Sequence, residues 1–128
     1  MNYYYARKID GSFEDIIGKI KNGLKEEGFG VLSDVNVKEL FKSKLDINFR
    51  KYRILGACNP VFSHKALLAE ERVGTMLPCN IIVQETADGL VEVSAVDPVA
   101  SMLAIDNDPL KVIAAQIGEK LVKVVDTL

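Results

Sequence analysis

Two alternating apolar runs, at residues 79–86 and 90–96, constrain this chain more than any other stretch. Apolar side chains recur at every second position, the period of a strand with one buried face. Ala87-Asp88-Gly89 joins the runs, and register decides the loop length. A two-residue Asp88-Gly89 turn would set Glu85 against Glu92, a repulsive pair. A three-residue loop ending at Gly89 instead pairs Val83 with Val93 and Ile81 with Ala95. It also leaves Gln84 beside Glu92 on the solvent side and turns Cys79 toward Asp97. The second solution is expected.

Two amphipathic segments can cover the apolar side of that hairpin. Ser12 reads as a helix N-cap with Asp15 in the capping-box position, and Phe13, Ile16, Ile17, Ile20 and Leu24 then fall on one helical face. Gly28 is the natural stop, because glycine takes the left-handed conformation without a Cβ clash. Near the other end Asp108-Pro109 opens a long helix. Its stripe is Leu110, Ile113, Ala114, Ile117, Leu121, Val124, Val125 and Leu128.

The remaining segments are shorter. Residues 2–9 read as a tyrosine-rich strand closed by Asp10-Gly11, and residues 29–37 alternate through Phe29, Val31, Ser33, Val35 and Val37 as a second strand. A short helix over 37–44 turns Leu40 and Phe41 inward. Residues 49–58 form a third strand, with Tyr52, Ile54 and Cys58 expected toward the core because the opposite choice would bury Lys51 and Arg53. Asn59-Pro60 is a cap followed by proline at the first helical position, for a helix ending near Glu70. Gly74 and Pro78 break the pattern, and residues 99–105 are apolar without a clear period. The expected architecture is a single α+β domain over 1–128, a two-layer sandwich with one antiparallel sheet and its helices on one face. Its order is β-α-β-β-β-β-α with short helical insertions.

Composition narrows the partners. The chain has 128 residues, 48% hydrophobic and 27% charged, with a net charge of -2. That balance argues against general nucleic-acid binding, which relies on a basic surface, and against an anionic membrane. With no secretory pattern and no membrane-length apolar run, the expected location is the cytoplasm, where Cys58 and Cys79 would be reduced thiols. The two cysteines form neither a C-x-x-C motif nor close-spaced metal knuckles.

The stretch 54–80 holds both cysteines, the single histidine and two of the four prolines. Each cysteine precedes an asparagine at a chain reversal. Cys58 lies just before a helix start, where the helix dipole favours thiolate; it equally suits a core position, since free cysteine is commonly buried. Cys79, facing Asp97, looks less like a nucleophile and more like a packed thiol or a metal ligand. Cys58, His64 and Cys79 together would make a zinc-compatible set, and the thioethers of Met76 and Met102 would suit Cu(I); an exposed histidine with packed thiols is the plainer alternative. No G-x-S-x-G, H-E-x-x-H, Walker or dinucleotide-binding glycine pattern is present.

Tyr-Arg-Ile-Leu-Gly-Ala-Cys-Asn-Pro at 52–60, Leu-Pro-Cys-Asn at 77–80 and Val-Asp-Pro at 96–98 carry a family likeness. The chain resembles the bacterial and archaeal family named domain of unknown function 302. The resemblance spans the chain and implies a fold similar to the TATA-binding-protein-like α+β class, and a homodimer. It implies no activity. The functional expectation is a small binding domain that takes a small molecule or a soft metal, zinc or copper, near Cys58, Asn59, His64, Cys79, Asn80 and Asp97. The alternatives are a thiol-dependent sulfur or redox enzyme using Cys58, and a homodimeric assembly module.

Overall fold

The computed structural model describes residues 2–128. In chain order the elements are β1 (Tyr4–Ile9), α1 (Phe13–Glu26), β2 (Gly30–Asn36), α2 (Val37–Leu45), β3 (Tyr52–Cys58) and α3 (Pro60–Ala69). A 3₁₀ segment (Glu71–Met76) follows, then β4 (Cys79–Glu85), β5 (Val91–Val96), α4 (Pro98–Ser101) and α5 (Asp108–Asp126). The five strands form one sheet in the order β1-β5-β4-β3-β2, with every neighbouring pair antiparallel. This is the α+β sandwich expected from the sequence. None of the described helices is long and apolar enough to cross a membrane.

The β4–β5 hairpin adopts the three-residue loop. Ile81 faces Ala95, Val83 faces Val93 and Gln84 faces Glu92. Thr86 N–H donates to the Leu90 carbonyl, and Gly89 closes the loop at φ +80°, a conformation that costs glycine little. The ladder ends at Ile81–Ala95, so Cys79 and Asp97 share a register but are not paired.

α1 and α5 pack across one sheet face. All five expected residues of α1 are buried, as are Leu110, Ala114, Ile117, Leu121, Val124 and Val125 of α5. They close over Leu55, Ala57, Cys79, Ile81, Val83, Val91, Val93 and Ala95. A smaller cluster of Ala66, Val73, Met102, Leu110 and Ala114 extends this core under α3 and α4. Asn107, one residue ahead of the expected cap, accepts from Leu110 N–H and starts α5. Asn59 occupies the N-cap of α3, but its side chain instead donates to the Glu27 carbonyl at the end of α1.

Two expectations about the strands need correction. β3 turns Leu55 and Ala57, not Tyr52, Ile54 and Cys58, toward the helices. The cations that argued for the opposite choice are accommodated at the start of the strand. Arg53 Nε and Nη2 donate to both oxygens of Asp34, at 2.7 and 2.5 Å, and Lys51 reaches Glu85. A paired cation at the margin of a layer avoids the penalty of an isolated buried charge. In β2 a bulge at Leu32 breaks the alternation. Val31 then shares a side with Ala57, whereas Ser33 faces Gly56 and Val35 faces Ile54. In α2 it is Val37 that is buried, while Leu40 is exposed.

Candidate functional site

The register of β3 against β4 brings the two Cys-Asn corners to neighbouring strand ends. Ala57 faces Cys79 and Gly56 faces Asn80. Cys79 therefore points into the helix layer, where burial, and secondarily the nearby Cys58, push its thiol pKa up to about 11. Such a sulfur stays protonated at neutral pH and is a poor nucleophile. Cys58 ends β3, and its Sγ lies 3.3 Å from Ser63 Oγ in the first turn of α3.

The other expected site residues scatter. His64 is exposed on α3, and Asn59 is buried against the end of α1. Asp97 caps α4 by accepting from Val99 N–H at 3.0 Å. Met102 belongs to the second core cluster, and Met76 is exposed. Among the described residues no group of three or more His, Cys, Asp or Glu side chains is placed to hold a metal ion. Among the expected site residues, the two cysteines lie at neighbouring strand ends, whereas His64 is exposed on α3 and Met102 packs in the second cluster. Only Asn80, of that set, lines the concavity described next.

That concavity lies on the sheet face opposite α1 and α5. It is a groove of about 400 Å³. Its floor carries Asn80, Ile82 and Gln84 of β4 with Glu92, Ser94 and Val96 of β5; Tyr3, Tyr4, Tyr52 and Arg50 form its walls. The register that sends Ile81, Val83, Val93 and Ala95 to the core sends these residues the other way. The Arg50 guanidinium carbon sits 4.4 Å from the Phe49 ring centroid and 5.5 Å from that of Tyr52.

A polar chain crosses the floor. Arg50 Nε donates to Gln84 Oε1 at 2.9 Å, and Gln84 Nε2 donates to Glu92 Oε1 at 3.4 Å. Ser94 Oγ donates to the same carboxylate oxygen at 3.1 Å. The Gln84 amide is oriented by the charge on each side of it: its carbonyl meets the cation and its NH₂ meets the anion. The sequence reading placed Gln84 beside Glu92 but took both as plain solvent-facing residues. The available signal was the polar residue recurring on one face of two apolar strands, Asn80, Gln84, Glu92 and Ser94, together with the tyrosine-rich start of the chain.

The crystal structure of an uncharacterized conserved protein DUF302 from Bacillus stearothermophilus has a similar fold. Its TM-score is 0.91 at 29% sequence identity, over 97% of this chain and 96% of that one. No curated protein shows significant sequence similarity. The family model described as Domain of unknown function DUF302 matches residues 5–128, and the chain belongs to that family.

Proposed function

We propose that this protein is a small-molecule binding domain whose ligand lies in the groove on the sheet face opposite α1 and α5. One observation carries the reading: about 400 Å³ of concave surface combines aromatic and aliphatic walls with a short, ordered set of polar groups. Small-molecule sites span roughly 300–1,000 Å³ and are mostly apolar, with a few polar groups that orient the ligand. Tyr4, Tyr52, Ile82 and Val96 supply the apolar surface, and Arg50, Gln84, Glu92 and Ser94 supply the orientation.

This reading keeps the expected binding role and moves the site off the cysteines. The packed, protonated Cys79 argues against a thiolate reaction at that sulfur, and among the described residues no group of three ligating side chains supports a metal centre.

Backbone amide mapping by NMR against a library of small aromatic fragments tests it. Binders are expected to shift the amides of Asn80, Ile82, Gln84 and Ser94. Shifts centred on Cys58, His64 and Cys79, or a response of those residues to stoichiometric zinc, would return the site to the cysteine corners.

A further inference from the structure

Resting on the groove as the ligand site, we propose that its ligand is a zwitterion. An aromatic or apolar body holds the two charges apart, with the anionic group on Arg50 and the cationic group on Glu92. Elsewhere charged side chains pair: Arg53 and Lys21 with Asp34, Lys120 and Lys123 with Glu27, Lys8 with Asp88. Among the described residues Arg50 and Glu92 do not. Among the described residues no carboxylate pairs with Arg50, whose one hydrogen bond uses Nε and leaves the terminal nitrogens free. Among the described residues Glu92 takes both of its hydrogen bonds on Oε1 and meets no cation; Lys8, its cross-strand neighbour, turns to Asp88 at 3.6 Å.

Gln84 stands between the two charges and bonds to each, which keeps them from closing on one another. The groove therefore presents a guanidinium fork and a carboxylate oxygen, spaced by one amide, over Tyr52 and Ile82. A free guanidinium edge matches a carboxylate or phosphate oxygen pair, and the open carboxylate oxygen matches an ammonium. A ligand with only one charge would desolvate the opposite group and leave it unpaired, so complementarity selects a molecule carrying both.

The test is calorimetric titration with para-(aminomethyl)benzoate, benzylamine and para-methylbenzoate, with amide shifts recorded in parallel. The zwitterion is expected to bind at least about tenfold tighter than either singly charged analogue. Glu92→Gln and Arg50→Gln should each reduce it to the analogues' level, with an unchanged NMR fingerprint showing that both variants fold. Equal affinity for all three compounds, with shifts still at Ile82 and Ser94, overturns the zwitterion and leaves the groove. Absence of shifts at those residues with any compound or fragment overturns the groove as well. A concentration-dependent dimer in sedimentation, abolished by both variants, would place a second copy of the chain on this face and overturn the ligand.

Discussion

The two faces of the sheet are made by the same strands, yet they treat polar groups differently. On the side under α1 and α5 the centre is wholly apolar, and the charge at its margin is neutralised by the bidentate Arg53–Asp34 pair. On the opposite side a polar chain runs through the centre, and its two charges, Arg50 and Glu92, have no ionic partner among the described residues. Stability accounts for the first arrangement, because every buried group is satisfied or apolar. It does not account for the second, since separated charges in an open groove contribute little to holding the fold. The difference teaches where to look for function: the side whose polar groups are ordered but incompletely paired.

The largest expected contrast comes from neighbouring positions on β3. Leu55→Ala empties part of the covered core and should cost about 2–5 kcal/mol in urea unfolding, whereas Ile54→Ala, on the groove side, should cost clearly less. Equal losses would erase the distinction between the faces.

Gly56 gives the next effect. A Cβ there would meet Ser33 Oγ and come within 2.8 Å of Pro78 Cγ, so Gly56→Ala should cost about 1–3 kcal/mol. The hydroxyl can move but the proline ring cannot, and adding Ser33→Ala should recover only part of the loss. Complete recovery would show that Pro78 does not confine this strand.

A smaller and pH-dependent contrast separates two carboxylates. Arg53 holds the Asp34 carboxyl below its ordinary pKa, so its stabilisation is present above the unfolded-state pKa and is lost as pH falls through the folded one. Asp34→Asn should lower stability by about 1 kcal/mol at neutral pH and flatten the acid limb of the stability profile. Glu92→Gln, which removes a carboxylate that meets no cation among the described residues, should leave the melting temperature within a degree or so. A Glu92→Gln variant as unstable as Asp34→Asn would show that the groove carboxylate is structural.

The smallest effect lies at alkaline pH. Burial raises the Cys79 pKa from 9.0 to about 11, so its contribution is complete below the unfolded-state value and declines as pH rises through the folded one. Cys79→Ala should flatten that alkaline decline when urea stability is followed against pH.

Much of the fold was legible because hydrophobic period and turn chemistry are local. The stripe from Phe13 to Leu24, the Asn59-Pro60 helix start and the β4–β5 register all follow from residues close in sequence. The facing of β3 was not, because the partner that permits Arg53 on the covered side is Asp34, on another strand. The bulge at Leu32 likewise leaves no local mark that outweighs the alternation around it. The proposed groove was hard to read for a related reason. Cysteine and histidine attract attention as chemistry-bearing types, while Gln84, Glu92 and Ser94 acquire meaning only when β4 and β5 align and Arg50 arrives from a distant loop.

The strand order has a consequence for how the chain is made. β2 through β5 form a consecutive run of antiparallel neighbours, so each can pair as it leaves the ribosome. β1, the earliest strand, has its only partner in β5. Tyr5 and Arg7 further bind Asp126 and Leu128 in the last turn of the chain. β1 must therefore wait, unpaired, until β5 and the end of α5 have been made, and its docking beside them is the stitch that closes the sheet.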